Sequence, residues 1–512
     1  MSPGAASTGE KVYTALCRFE MGSFLKAAQG DEPLLVACTQ EQALFNSAAE
    51  HSDPPAYAPI RFVNIRETAG WSSEKSQAGA KIKALLAVAS LPDPDPVASI
   101  EYVSEGRLML VGPASKVVAV AQLAQKRYGE LQVSALITQA DADLPLMPGV
   151  AWLSGSQVSV TGYLGRYSVK WSQTNPIDLE VCTRCQACVS ACPTGAITGL
   201  LQIRTDVCDR TGACEVACAS VGAIRFDRLD ESRDQVVDLI IDLNESPLLR
   251  ALDVPPGYKH ANSVEDGKDA LAELSQWVGR FDKPRYFTYQ ASICSHGRNN
   301  TIGCNKCIDV CSTQAITSIL AGGKGRVEVN PNLCMGCGAC STVCPSGAMR
   351  YNYPSADYQS RALRTLVSTA TDAGLKEPEI LLHSTDDSVG GTALINRLGQ
   401  LAAGGRAKGL PARVMPFALH HAASVGPELW LAALAYGAAR VTVLLSGEEA
   451  STYRDALNEQ VTWVRGVIEA LGGEPDRVSI IQAHSPEALD VALQSAVARL
   501  PLVTTRATFS VG

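Results

Sequence analysis

Short apolar runs alternate with helix-like spacings of apolar residues in the N-terminal third of the chain. Three runs rich in β-branched and other apolar residues predict strands, and two stretches with apolar residues every three or four positions predict helices: strands at 34–38, 61–65 and 131–137, helices at 74–89 and 115–126. Such alternation indicates sheets covered by helices. We therefore predict an α/β domain over residues 34–150, preceded by an N-terminal extension, residues 1–33.

The same alternation returns near the C-terminus. Four strand-like runs are separated or followed by four helical patterns: strands at 380–383, 413–417, 440–445 and 477–481, helices at 393–403, 427–438, 451–471 and 486–500. Four strand–helix units with short loops favour a small parallel sheet covered by helices. This predicts a second α/β domain over residues 376–512.

The middle of the chain lacks long periodic segments and contains most of the cysteines. Fifteen of the 17 lie between Cys182 and Cys344, and Cys17 and Cys38 lie outside. We divide this part into four predicted segments: a β-rich bridge at 151–176, a first cysteine-rich module (module 1) at 177–230, a connector at 231–284 and a second cysteine-rich module (module 2) at 285–355. The predicted fold class is α/β and α+β, with several domains.

Two cysteine runs in this part have the full spacing C-x2-C-x2-C-x3-C-P. The runs begin at Cys182 and Cys334 and end at Cys192-Pro193 and Cys344-Pro345. In such a run the first three thiolates bind one iron–sulfur cluster, and the fourth binds the second cluster of the pair. A zinc site would instead show separated pairs of cysteines, so zinc is the weaker interpretation.

Each full run has an altered partner. In one partner, Cys294 precedes Cys304 by ten residues; in the other, Thr211 stands where a cysteine is expected. Crossed ligation then predicts three complete [4Fe–4S] sites and one three-cysteine site, which could hold [3Fe–4S] or an incomplete [4Fe–4S] cluster or be empty. The complete sites are Cys182, Cys185, Cys188 and Cys218; Cys294, Cys304, Cys307 and Cys344; and Cys334, Cys337, Cys340 and Cys311. The three-cysteine site is Cys192, Cys208 and Cys214.

Charge and composition restrict the partners. The net charge of -8 argues against nucleic acid, which requires clustered Lys and Arg, and is compatible with a basic redox protein. We find no export signal, no uncharged apolar stretch of about twenty residues, and no G-x-G-x-x-G after a predicted strand. We therefore expect a cytoplasmic protein with reduced thiols, no membrane span and no Rossmann dinucleotide site.

The cysteine runs resemble two bacterial-type 2[4Fe–4S] ferredoxins. The segment 162–167 before Cys182 is similar to the approach to the ferredoxin insert of the large iron–sulfur subunit of heterodisulfide reductase. Residues 435–438 and 471–478 resemble the delta subunit of methyl-viologen-reducing hydrogenase, without that subunit's cluster cysteines. The whole arrangement resembles large 4Fe–4S proteins associated with bacterial formate dehydrogenases. This resemblance implies formate dehydrogenase as a partner.

These observations predict an electron-transfer protein, or a subunit of an oxidoreductase complex, rather than a stand-alone enzyme. The predicted role is a relay that passes electrons to or from a redox enzyme such as formate dehydrogenase. Two alternatives remain open. The chain could be a catalytic oxidoreductase subunit with an undetected flavin or substrate site, or an accessory or maturation factor for formate dehydrogenase. The sequence assigns no catalytic residue and no cofactor-binding residue beyond the cluster ligands.

Overall fold

The computed structural model describes residues 12–13, 15–54, 56, 58–204, 206–250, 254–296, 303–321, 324–386 and 390–497. Within these residues it is a mixed α/β structure with two regions of short helices that carry the cysteines. The ends of the predicted extension and of the predicted C-terminal domain, 1–11 and 498–512, lie outside the described residues. So does most of the insertion between Cys294 and Cys304.

A small N-terminal unit precedes the larger sheets. Its elements are α1 (Met21–Ala28), β1 (Leu34–Val36), α2 (Gln42–Glu50) and β2 (Ile60–Phe62). The two strands pair in parallel, and the rings of Phe24 and Phe45, with centroids 4.7 Å apart, pack at the centre of its core. Cys17 and Cys38 lie at the margin of this core. They belong to a separate cluster of packed side chains from the other fifteen cysteines.

The next helix, α3 (Gly79–Ala89), is hydrogen-bonded to this unit where Arg61 donates to the Ala89 carbonyl oxygen, but its main packing partner lies elsewhere. It lies against a helix of the C-terminal part, and its residue Ala84 belongs to that part's core. Nearby hydrogen bonds strengthen the association: Asn64 Nδ2 donates to Asn396 Oδ1 at 2.9 Å, and the Ala412 N–H donates to Glu74 Oε2 at 2.7 Å. Residues 34–150 are therefore divided among three packing units. Helical spacing identifies α3 but carries no information on its partner.

The largest sheet has seven strands, and the segment predicted as a connector supplies three of them. The elements are, in chain order, β3 (Ser99–Ser104), β4 (Arg107–Pro113), α4 (Ala114–Arg127), β5 (Gln132–Gln139), β6 (Val150–Tyr163), β7 (Arg166–Gln173), α5 (Ala187–Ala191), α6 (Ala213–Ala217), β8 (Ser232–Val237), β9 (Leu239–Asp242), β10 (Tyr258–His260), α7 (Val264–Leu274) and β11 (Gly279–Pro284). The strand order is β10-β9-β4-β5-β6-β7-β8, and β11 pairs with β3 outside this sheet. The predicted bridge and connector thus belong to one sheet with the N-terminal strands. Their pairing joins residues over a hundred positions apart.

Module 1 is inserted between β7 and β8 and packs on this sheet. Apolar side chains of the module, including Ile177 and Ile224, share one core with Trp152 and Leu164 of the sheet region. A capping box formed by Ser263 and Asp266 begins α7, which packs with α4 over the same core. The sheet therefore provides a fixed support for the first group of cysteines.

Module 2 and the C-terminal part follow. Their elements are β12 (Phe287–Tyr289), α8 (Lys306–Asp309), β13 (Ile316–Ala321), β14 (Lys324–Val329), α9 (Ala339–Thr342), β15 (Met349–Tyr351), α10 (Ala356–Asp372), β16 (Glu379–Ser384), α11 (Gly391–Ala403), β17 (Val414–Leu419), α12 (Pro427–Ala435), β18 (Arg440–Leu445), α13 (Ser451–Ala470), β19 (Val478–Gln482) and α14 (Pro486–Val497). Strands β17-β16-β18-β19 form a parallel sheet in that order, as the sequence pattern predicted. None of the described helices is both long and apolar enough to cross a bilayer.

Candidate iron–sulfur sites

The two modules have the same arrangement of short elements. In module 2, β12 pairs with β15 and β13 pairs with β14, both antiparallel. In module 1 the corresponding pairs are reduced to single bridges, Ile177 with Ile224 and Ile197 with Ile203. Helices α5 and α6 of module 1, like α8 and α9 of module 2, begin within the cysteine runs and pack against each other. Each module is therefore a pseudo-symmetric pair of halves.

Three of the four cysteine runs share an unusual backbone conformation. The residue before and the residue after the second ligand position have positive φ: Arg184 and Gln186, Arg210 and Gly212, and Gly336 and Gly338. Alternating left-handed residues turn successive backbone N–H groups into a concave surface that suits anions, including iron–sulfur clusters. One such group is the Arg184 N–H, which donates to Cys182 Sγ at 3.4 Å. The repeated loop geometry fits the chemistry of a cluster.

The first predicted ligand set converges in module 1. Cys182, Cys185, Cys188 and Cys218 line one cavity together with Ile177. Burial raises the pKa of the Cys188 thiol, and the nearby Cys182 and Cys218 raise it further. Closely spaced thiols raise one another's pKa because their thiolates repel each other, and a bound metal cation removes this repulsion by taking the place of the thiol protons. Cys185 is exposed, so this set reaches the surface.

The three-cysteine set converges at the other end of module 1. Cys192, Cys208 and Cys214 line a cavity with Asp209 and Thr211. The Asp209 carboxylate accepts the Thr211 backbone N–H at 3.3 Å, so it is engaged in the loop. Thr211 occupies the position that Cys185 and Cys337 hold in the other runs, between two residues of positive φ, and it is exposed. The corner that lacks a thiolate therefore faces the solvent.

The thiols of module 2 influence one another's pKa. Burial, and then the neighbouring Cys344, Cys294 and Cys304, raise the pKa of Cys307 to about 12. Burial, with Cys334 and Cys311 acting in the same direction and a hydrogen bond from Tyr453 opposing them, raises the pKa of Cys337 to about 12. The pKa of Cys340 is raised well above its ordinary value by burial and then by Cys337, Cys334, Cys311 and Cys307. The structure thus brings the thiols of module 2 close together, and their division into two ligand sets stays a prediction.

Hydroxyl groups accompany the last cysteine of three runs. Cys192, Cys311 and Cys344 each have a Ser or Thr hydroxyl, two residues later, at 3.6–3.7 Å from Sγ. Burial opposes ionisation of Cys344, but the backbone N–H of Met349 and the hydroxyl of Ser346 lower its pKa overall. Hydrogen bonds to sulfur are among the means by which a protein adjusts a cluster.

His296 and Lys283 position backbone rather than sulfur. His296 Nδ1 lies 3.0 Å from the Cys304 carbonyl oxygen and Nε2 lies 2.8 Å from Ser318 Oγ, so both ring nitrogens have partners. Lys283 Nζ donates to the Cys334 carbonyl oxygen at 2.8 Å and lies 4.9 Å from the centroid of the Tyr102 ring. Burial lowers the pKa of Lys283 to about 8, which Cys334 partly opposes. Nothing in the sequence indicated that Lys283 contacts the Cys334 loop, because Lys283 lies on β11, outside the cysteine runs.

The C-terminal part covers one end of module 2, a contact that the sequence did not predict. Val310 and Ala339 belong to the C-terminal core, and Cys337 and Cys340 pack against that core. A Cβ on Gly338 would lie 2.5 Å from Ser424 Cα, so only glycine permits this approach. Two candidate ligands of module 2, Cys337 and Cys340, are thus covered by a domain that has none of the fifteen clustered cysteines.

No three His, Cys, Asp or Glu side chains in the described residues converge as ligands of a single metal ion.

Residues 302–348 match the family described as a 4Fe-4S dicluster domain, and residues 176–198 match a 4Fe-4S binding domain. The chain contains two 4Fe–4S ferredoxin-type domains. Sulfur ligands, repeated anion-binding loops and family matches agree on the same cofactor.

Two curated proteins are similar to parts of this chain. Protein NrfC of Escherichia coli K12 is 34% identical over 90 residues, which are 17% of this chain and 36% of NrfC. An iron-sulfur subunit of the CoB–CoM heterodisulfide reductase of Methanocaldococcus jannaschii is 25% identical over 289 residues, 45% of this chain and 44% of the relative. The chain spans less than half the length of either relative.

Proposed function

We propose that this protein transfers electrons through a series of iron–sulfur clusters, as a relay to or from a redox enzyme. The observation that carries the proposal is the presence of two ferredoxin-type domains in one chain, each with cysteine sets at both ends. Thiolate-ligated clusters exchange single electrons with little rearrangement, and the surrounding protein sets their potentials. The proposed content is three [4Fe–4S] clusters and one [3Fe–4S] or labile [4Fe–4S] cluster.

The proposed ligands are those of the four predicted sets. Three observations support this assignment: the shared cavities of module 1, the mutual effects among the thiols of module 2, and the common loop conformation. Formate dehydrogenase is proposed as the partner on the resemblance of the whole cysteine arrangement, and the cytoplasm is proposed as the location.

A second candidate function is a catalytic role in which the chain exchanges electrons with a small molecule. A cleft opens between module 1 and the seven-stranded sheet, lined by Arg107, Trp152, Cys182 and Arg184. It is the feature that favours this candidate, because a ligand in the cleft would lie beside a cluster cysteine. Flavin retained by the purified protein, or turnover without a protein partner, would favour it over the relay.

The experiment is iron and sulfide analysis of anaerobically purified protein, with electron paramagnetic resonance before and after reduction by dithionite. We expect iron and acid-labile sulfide for four clusters, and reduction signals that disappear in part when Cys182→Ser or Cys334→Ser removes one ligand. Cys17→Ser is the control and should leave the iron content unchanged. A colourless protein that contains zinc instead of iron and sulfide would overturn the proposal.

A further inference from the structure

One cysteine run of module 2 ends differently from the full runs. Pro193 and Pro345 follow the last cysteines of the full runs, whereas Ser312 follows Cys311. Ser312 is 5% exposed, and its Oγ is hydrogen-bonded to the hydroxyl of Tyr453. A proline could not make this bond. Ser312 therefore connects a cluster loop to helix α13 of the C-terminal domain.

Tyr453 reaches the second loop of the same cluster as well. Cys337 packs against the core cluster that contains Tyr453, which is 3% exposed. A side-chain hydrogen bond from the Tyr453 hydroxyl to this sulfur lowers the pKa of Cys337, against the larger effect of burial. The edge of its ring meets the His421 ring, with centroids 5.4 Å apart at an angle of 82°. Tyr453 is thus held by packing while its hydroxyl contacts both loops.

The proton of Tyr453 has one favourable position when Cys337 is a cluster ligand. A coordinated thiolate has no proton and only accepts hydrogen bonds, whereas a hydroxyl both donates and accepts. Tyr453 must therefore donate to Cys337 Sγ and accept from Ser312 Oγ–H. Reduction adds negative charge to the cluster and its sulfurs, so a donated hydrogen bond stabilises the reduced form more than the oxidised form.

The equivalent position in module 1 has a different environment. Cys185 is the second ligand of its run, as Cys337 is, but it is exposed to solvent. At the three-cysteine site the equivalent residue is Thr211, which has no thiol. The contact between Tyr453 and Cys337 therefore has no counterpart at Cys185, which is exposed, or at Thr211, which has no sulfur.

We propose that Tyr453 is a positioning residue through which the C-terminal domain raises the reduction potential of one cluster. That cluster is the one assigned to Cys311, Cys334, Cys337 and Cys340, so the inference rests on the proposed function. Ser312 orients the Tyr453 hydroxyl by donating to it. The C-terminal domain, which supplies no cluster cysteine, acts on electron transfer by this contact.

The test is a redox titration of Tyr453→Phe in the full-length anaerobic protein, followed by electron paramagnetic resonance. We expect one midpoint potential to fall, so that the oxidised-to-reduced ratio of this cluster rises about tenfold at a fixed potential, which is 59 mV for one electron. The other midpoints should not move. Ser312→Ala should give a smaller shift in the same direction.

Tyr351→Phe is the matched control. Tyr351 is also buried beside this cluster, but its hydroxyl donates to the Gly336 carbonyl oxygen at 3.0 Å instead of to sulfur. It should leave all midpoints unchanged. If Tyr453→Phe keeps its iron and all its midpoint potentials, the proposal is wrong. If Tyr453→Phe loses iron, the test passes to Ser312→Ala, and unchanged midpoint potentials in that variant show that the proposal is wrong. Absence of iron from the unmutated protein would instead overturn the proposed function.

Discussion

Thr211 is the residue that distinguishes one site from the other three. The loop around it has the same two positive-φ positions as the loops around Cys185 and Cys337, so the backbone is already shaped for a thiolate. What the site lacks is a sulfur atom, and its open corner faces the solvent. The loop around Thr211 therefore keeps its backbone conformation without the cysteine side chain.

We predict that Thr211→Cys adds about one iron per chain and abolishes the signal of an oxidised three-iron cluster, because the fourth ligand then holds the fourth iron. Iron analysis and electron paramagnetic resonance of the anaerobic protein measure both effects. The converse variant, Cys185→Thr, places the same deficiency in a complete set and should create a three-iron signal. Unchanged iron content in Thr211→Cys would contradict the assignment.

At the scale of elements, helix α3 shows how a local pattern acquires a distant partner. Lys81 on this helix is fully buried, and its Nζ donates to the Pro411 carbonyl oxygen at 2.8 Å. Burial lowers the pKa of Lys81 to about 7, and Glu74 opposes the shift in part. Unfolding would return the pKa to its ordinary value of 10.5. The helix is thus a pH-dependent part of the contact with the C-terminal domain.

The sign of this dependence follows from proton binding. Between about pH 7 and 10.5 the unfolded chain binds a proton at Lys81 that the folded chain does not, so stability rises as the pH increases through this range and is constant above it. The rise amounts to at most about 5 kcal/mol, from the size of the shift. We expect Lys81→Met to abolish this rise, as measured by unfolding midpoints between pH 7 and 9.5.

Lys83→Met provides the control for this prediction. Lys83 lies on the same helix but is exposed, so its removal should leave the pH profile of the unmutated protein. The unmutated protein and Lys81→Met share every titrating group except Lys81. A difference between their two pH profiles therefore reports Lys81 alone. Parallel profiles for the unmutated protein and Lys81→Met would show that Lys81 is not buried as described.

Across the whole molecule, the cysteine sets differ in their access to solvent. Thr211 and Cys185 are exposed in module 1, whereas Cys337 and Cys340 pack against the C-terminal core. Solvent access governs both electron exchange with an external donor and loss of iron. The exposed module suits exchange with a partner, and the covered end suits storage of the electron away from water.

We therefore predict that a chelator removes iron in a defined order under mild oxidation. The three-cysteine site should lose iron first because it lacks one thiolate, the set containing Cys185 next because Cys185 is exposed, and the set containing Cys337 last because Cys337 packs against the C-terminal core. The decay of each cluster's signal over time, assigned with single Cys→Ser variants, measures the order. Simultaneous loss of all signals would indicate cooperative unfolding and contradict independent access.

The sequence by itself determined the chemistry and the kinds of element. Cysteine spacing is local and restricted by the cluster, so it predicted the two 4Fe–4S domains, and alternating apolar runs predicted the four parallel strands between 379 and 482. The individual ligand sets stay predictions. Only the tertiary structure decided that β8, β9 and β10 complete the N-terminal sheet, that α3 joins the C-terminal core, and that Tyr453 reaches Cys337. The physical reason is that local periodicity reports which face of a segment is buried. It carries no information on which distant surface buries it.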